Sequence, residues 1–259
     1  MTHFTTPAIV LRRRDYGDFD LILTVLTLDH GVVSLIAKSA KKSVKRFPGI
    51  LEPFAGLNIV YNQGRGKGMM VLEEASLEST FGTLRSDILK TAYASYWAEL
   101  VALWLEEGQT RPDIYRLMVF VLEHLVRDDV PAALLSLLFQ MRFVGQEGLR
   151  PVLERCACCH IEVDQLAQQH FCIDLKQGGI VCHECPGPES TQLRLGKGTL
   201  KQLLWMADGD LPTALRVRFT PWALAEANDF LEAFVPFHIG RTPKSLGFLR
   251  QVRKEGGRG

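Results

Sequence analysis

The chain lacks any uninterrupted apolar run of the roughly 18–20 residues that a spanning helix needs. Its most apolar stretch, Val130 to Val144, is broken by Gln140 and Arg142, so no membrane segment is predicted. An excess of charge of one sign is also missing. Thirty Lys+Arg stand against 29 Asp+Glu, a formal net charge of +1, and that total gives no sign of a polyanionic partner. The opening Met1-Thr-His-Phe-Thr-Thr-Pro7 has no basic stretch followed by an apolar one, which predicts a cytoplasmic protein without a secretory leader. Catalytic signatures are missing as well. There is no HExxH, no GxSxG and no paired acidic cluster of nuclease type. Gly64-Arg-Gly-Lys-Gly68 and Leu195-Gly-Lys-Gly-Thr199 lack nucleotide-loop spacing and read as a hairpin turn and a helix entry. His183-Glu-Cys185 lacks the HxE spacing and second PCxxC of a deaminase. The chain is therefore predicted not to be an enzyme. Repeats and low-complexity segments are absent too, and 47% hydrophobic residues among 259 are enough to bury a core.

What is present is unevenly distributed. Residues 1 to 70 carry ten basic against five acidic residues and residues 241 to 259 six against one, while the segments between are mildly acidic. Both ends are basic, which points toward a polyanion after all.

Residues 1 to about 80 read as five strands, at Ala8 to Arg13, Leu21 to Thr27, Val32 to Ala37, Leu57 to Tyr61 and Met69 to Leu77. Turn formers separate them, and no helix of crossover length intervenes. The expected fold is a small antiparallel barrel, an OB fold first and an SH3-like barrel as the alternative. After Thr83 the period becomes helical. Ile88, Ala92, Tyr96, Leu100 and Leu103 form a ladder expected to run to Glu107 and stop at Gly108. A second helix begins at Pro112 and a third follows Pro131, giving antiparallel neighbours in a bundle. Helix returns at Thr199 to Ala207 and, capped by Thr220, from Pro221 to Phe234. The expected class is α+β and multidomain. Residues 1–80 form the barrel, 81–150 with 190–259 a helical bundle domain, and 151–189 a cysteine-rich insertion.

All six cysteines lie in that insertion. Cys156-Ala-Cys158-Cys159 and Cys182-His-Glu-Cys185 supply two CxxC pairs separated by 22 residues. Each pair can wrap two thiolates around one tetrahedral ion, so Cys156, Cys159, Cys182 and Cys185 are the predicted ligands of one structural Zn2+. Four thiolates close the shell and leave no place for a reactive water. Cys158 could compete within the first pair, and His160, His183 or Cys172 could replace a sulfur.

The second motif is Lys38-Ser-Ala-Lys41-Lys42-Ser-Val-Lys45-Arg46, five cations in nine residues with no acid between Asp29 and Glu52. Such a loop beside a barrel face suits phosphate neutralisation, with Arg12, Arg14, Arg65 and Lys67 widening the patch. Strand alternation turns Arg13 to the opposite face. Tyr16, Phe19, Phe47, Phe54 and Tyr61 fall in the same region and could stack bases, although each alone reads more naturally as core. Arg116 and Arg142, set in apolar helices, either satisfy an internal carboxylate or line a groove for an acidic peptide.

Val10-Leu-Arg-Arg-Arg-Asp-Tyr-Gly-Asp-Phe-Asp20, Thr27 to Gly31, Ala37-Lys38, the basic loop and Leu51-Glu-Pro-Phe54 together resemble the N-terminal barrel of the RecO family of bacterial recombination mediators. Tyr93 to Gly108, with Trp97-Ala-Glu-Leu100 at its centre, resembles that family's first domain helix, and the four-cysteine insertion occupies the same place in its zinc-bearing members. The resemblance implies an OB fold, a helical domain and a zinc module. It also implies binding of single- and double-stranded DNA, annealing of complementary strands, and cooperation with RecR in loading RecA onto strands coated by single-strand-binding protein (SSB). Contact with the acidic, Phe-ending SSB tail would fall to the helical domain and give Arg116 or Arg142 a role. The protein would act as a monomer near the nucleoid. Two departures stand out: Ser39 takes the place of the family's usual glycine, and Cys158 adds a thiol. The alternative reading is a zinc-ribbon protein-interaction scaffold that touches nucleic acid only incidentally.

Overall fold

The computed structural model describes residues 2–43, 45–63, 68–79, 81–187 and 193–256. By packing, the chain divides into two compact units, residues 1–127 with 243–259 and residues 128–242. This grouping follows a different principle from the three-segment division above, which we retain as a proposal about modules.

The first unit is built on five strands, β1 (His3–Tyr16), β2 (Asp20–Thr27), β3 (Gly31–Ala37), β4 (Gly56–Asn62) and β5 (Met70–Ser79). They close into a barrel in the order β1-β2-β3-β5-β4, with β3 and β5 parallel. That is OB-like connectivity and settles the choice against an SH3-like barrel. β1 is long enough to serve both sides of the closure: His3 to Ile9 pair with β4 and Ala8 to Tyr16 with β2. A bulge between Val10 and Arg12 bends the strand where it changes partner. The alternating residues Ala8, Val10, Leu23, Val25, Leu35, Leu57, Ile59 and Leu72 fill the interior.

A 3₁₀ turn at Phe81–Ser86 leads into α1 (Ile88–Trp104), whose N-terminal N–H groups at Leu89 and Lys90 are accepted by the Asp87 carboxylate at 2.9 and 3.0 Å. The expected continuation to Glu107 does not occur. Glu107 instead bridges to Val32 of β3, and the Gly108 N–H donates to the Val32 carbonyl at 3.0 Å. The close fit demands Gly31, since a Cβ there would lie 1.8 Å from the Gln109 carbonyl oxygen at a φ of +65°. α2 (Pro112–Arg127) follows. The unit is completed by a helix the sequence reading did not place. This C-terminal helix (Lys244–Gly256) packs along α1, and its first N–H groups at Lys244 and Ser245 donate to the Glu99 carboxylate at 3.2 and 2.8 Å. Tyr93, Tyr96, Trp97 and Leu100 of α1 are fully enclosed as a result.

The second unit contains α3 (Ala132–Gln146), a three-stranded sheet of β6 (His170–Asp174), β7 (Gly179–Val181) and β8 (Arg194–Gly196), then α4 (Lys197–Ala207), α5 (Leu211–Ala214) and α6 (Pro221–Ile239). Thr220 caps α6 as expected, but the helix runs on through Pro236 to a glycine cap at Gly240, φ +76°. By packing, α1 and α2 group with the barrel, while α3 packs with α4 and α6. Among the described residues no helix is long and apolar enough to cross a membrane.

Candidate nucleic-acid interface and metal centre

In the second unit, the turn Cys156–Cys159 and the residues just after β7 bring four thiols together. The Sγ atoms of Cys156, Cys159, Cys182 and Cys185 all lie within 4.8 Å of one another. Cys156 and Cys185 are 3.9 Å apart, and Cys159 and Cys182 are 3.7 Å apart. Sulfurs at about 2.3 Å from one tetrahedral ion are spaced by about 3.8 Å, so the cluster has the dimensions of a tetrathiolate cage. The backbone prepares it. The Cys182 N–H donates to Cys156 Sγ at 3.4 Å, and His160, in the left-handed region at φ +63°, closes the first turn by donating its N–H to the Cys156 carbonyl at 3.0 Å. Burial opposes ionisation of Cys156, but N–H donors at positions 159, 182 and 158 outweigh it and bring the thiol down to about 6.

The alternative ligands have other places. His183 is held by Gln168 and Glu184, Cys158 packs against the edge of the cluster, and Cys172 pairs with Val181 across β6 and β7. None of these belongs to the four-sulfur group.

In the first unit, Arg12 and Arg14 are exposed on one face of β1 and Arg13 is turned away. The Arg13 guanidinium pairs with Glu52, which also receives Arg85 at 3.3 Å. Glu52 is the first acid after the basic loop, and these two arginines neutralise it. Arg14 lies in register with Ile22, and Ile22 with Ile36 of β3. Two strand spacings, about 10 Å, therefore separate Arg14 from the strand that feeds the loop.

The loop itself is folded onto the β1–β2 turn. Ser39 adopts φ +55°, and its N–H donates to Asp20 Oδ1 at 2.7 Å. The Lys41 N–H donates to the Phe19 carbonyl at 3.0 Å, and its ammonium pairs with Asp15 at 3.1 Å. Lys42 Nζ sits 3.4 Å from the centroid of the Phe19 ring. Arg46 donates to the Lys38 carbonyl at 2.8 Å and spans the loop. Lys38, Lys45, Arg46, Arg12 and Arg14 are exposed and have no acidic partner among the described residues. Arg65 and Lys67 lie outside the described residues. Sequence spacing alone missed the clasp on the turn, although Asp15 and Asp20 flanking Gly17 are the acids that make it.

The positive φ at Ser39 is one that glycine adopts more readily than serine. A left-handed conformation costs an L-residue about 1–2 kcal/mol that glycine does not pay. Ser39→Gly is expected to raise stability by about 0.5–1 kcal/mol and the melting temperature by about 1–3 °C. Thermal unfolding of both proteins followed by circular dichroism checks this.

The two helical arginines differ. Arg116 is exposed on α2. Arg142 is half-buried on α3 and donates to the Asp208 carbonyl at 2.5 Å, while Arg150 pairs with the Asp208 carboxylate at 2.7 Å. Arg142 is thus held by an exposed backbone carbonyl, not by the internal carboxylate that was the alternative to a groove.

Residues 1–81 match the family described as Recombination protein O N terminal, and residues 85–247 match Recombination protein O C terminal. A protein of Desulfosudis oleivorans named DNA repair protein RecO is 42% identical over 258 residues, covering 98% of this chain and 99% of that one. One of Desulfatibacillum aliphaticivorans with the same name is 41% identical over 260 residues, with 98% and 99% covered. A third, from Anaeromyxobacter sp. strain K, is 35% identical over 246 residues and covers 94% of each chain. With both halves matched in order and identity above 40% over almost the full length, the chain belongs to the RecO family of DNA repair proteins.

Proposed function

We propose that this chain is a non-enzymatic mediator of DNA repair and homologous recombination. It binds single- and double-stranded DNA, anneals complementary strands and, with RecR, helps load RecA onto SSB-coated DNA. The observation that carries this reading is the basic loop on the barrel, with Lys38, Lys45 and Arg46 exposed and the neighbouring Glu52 neutralised by Arg13 and Arg85. Cations placed in this way release counterions from phosphate without reading sequence. Two strands screened on one such surface repel each other less and pair sooner. Lys41 and Lys42 hold the β1–β2 turn and reach phosphate after leaving it. Arg12, Arg14, Arg65 and Lys67 extend the path.

Cys156, Cys159, Cys182 and Cys185 hold one zinc ion in this reading. The donor set fits: soft thiolates at tetrahedral spacing suit zinc, and four protein ligands leave the ion a structural part. The acidic SSB tail is contacted through the helical region, where exposed Arg116 is the freer cation and Arg142 is held by Asp208. The protein works as a monomer at the nucleoid.

Annealing of complementary strands coated with SSB tests the proposal. Acceleration over the protein-free reaction, lost on charge reversal of the loop, is expected. No acceleration by intact protein would favour the zinc-ribbon scaffold instead.

A further inference from the structure

Of the aromatic residues Tyr16, Phe19, Phe47, Phe54 and Tyr61, the last three are 2–3% exposed and belong to the core. Tyr16 and Phe19 are 54% and 43% exposed, at the end of β1 and in the turn that follows. Single exposed rings are common on protein surfaces, but these two stand at the turn onto which the basic loop folds. Alternation along β1 puts Tyr16 on the same face as Arg12 and Arg14, so cation, cation and ring follow one another down one strand at about 7 Å intervals. Three residues on, Phe19 is covered on one face by an ammonium: Lys42 Nζ is 3.4 Å from the ring centroid. That contact is exposed and therefore weak, and a lysine that leaves it still has a phosphate to meet.

We propose that Tyr16 and Phe19 form a stacking platform for unpaired bases, with Lys42 moving from the face of Phe19 to a backbone phosphate when a base takes its place. This rests on the DNA binding proposed above and adds to it a preference for single strands carried by two residues. Bases within a duplex are already stacked on one another and offer these rings no free face. Unpaired bases offer one each, whatever their identity. The platform thus adds affinity for single strands, while the basic loop serves both forms. Annealing gains a direction: pairing takes the bases away from Tyr16 and Phe19, so the product duplex is held less tightly than the strands that made it.

The test is titration of full-length protein into fluorescein-labelled oligothymidylate and into a duplex of equal length, at several salt concentrations. Phe19→Ala and Tyr16→Ala are each expected to weaken oligothymidylate binding about tenfold, to change duplex binding by less than about twofold, and to leave the salt slope unaltered. Phe19→Trp is expected to restore single-strand affinity, since the larger ring still stacks. Both side chains are exposed, and melting temperatures within about 2 °C of wild type identify folded variants. Equal losses on both DNA forms would show that Phe19 only positions Lys42 and would overturn the proposal. Unchanged oligothymidylate affinity in the alanine variants, or failure of Phe19→Trp to restore it, would overturn it as well. If the wild-type protein binds neither probe, the functional reading itself fails. If it binds both and the alanine variants match it, only the platform does.

Discussion

Replacing Cys182 with serine is expected to abolish zinc binding and to unfold the segment around the two CxxC turns, with metal content falling from about one ion per chain to near zero. The reason lies in how little else holds those turns. The buried cluster around them is Cys156, Val181 and Cys182, with Cys158, Leu166 and Cys185 packed against it, so most of its members are cysteines. Burial on that scale contributes only a few kcal/mol at about 25 cal/mol per Å2. A structural zinc contributes far more, about 10–16 kcal/mol in isolated fingers. The rest of the module has a different anchor. Phe171, Ile173, Ile180 and Leu195 of the small sheet are fully buried, and β8 packs on α6. Loss of metal should therefore melt the turns and spare the helices of the second unit. Amide protection near Cys156 and Cys182 is expected to fall at least about a thousandfold, which corresponds to about 4 kcal/mol. Cys158→Ser and Cys172→Ser should keep the metal, and loss of zinc from either would show that the ligand set has been misassigned.

The second large effect is expected from the loop. Lys38, Lys45 and Arg46 are the sites for reversal, because Lys41 and Lys42 also hold the β1–β2 turn through Asp15 and Phe19, whereas Arg46 is tied only within the loop, to the Lys38 carbonyl and beside Phe47. Changing all three to glutamate removes up to three phosphate contacts. With each contact contributing about 0.7 to the log–log salt slope on single strands and about 0.9 on duplex, affinity at about 0.1 M salt should drop roughly a hundredfold and five-hundredfold respectively. The slope should become shallower by about 2–3 in the same experiment. Fluorescence anisotropy over a salt series measures both quantities. An unchanged slope would move the phosphate contacts elsewhere on the molecule.

The barrel was legible in the sequence because its signal is local. Alternation at Leu21, Leu23 and Val25 and again at Val33 and Leu35 sets each strand, and Gly31 and the Asp15–Asp18 stretch mark the turns. The four clustered cysteines were legible for a similar reason, since equal x2 spacing describes a shape that two turns can make. The C-terminal helix was not. Leu246, Leu249 and Val252 do recur at a spacing of three, but mean hydropathy over the segment is low and its arginines and lysines leave its order open from sequence. Its partner is Glu99, 145 residues earlier, and no local pattern reports such a contact. The same holds for the early end of α1, where the barrel claims Glu107 and Gly108 by pairing with Val32. Among the basic residues, composition found the patch but could not separate cations facing solvent from those already engaged. Asp15 and Glu52 make that division, and they do so only once the chain is folded.

The most direct test of DNA binding on the barrel's basic face is amide hydrogen exchange of the full-length protein, free and saturated with an oligothymidylate. DNA-dependent protection is expected to concentrate in residues 12–20 and 38–46. Protection confined to residues 128–242, with the basic loop exchanging as fast in the complex as in the free protein, would contradict it.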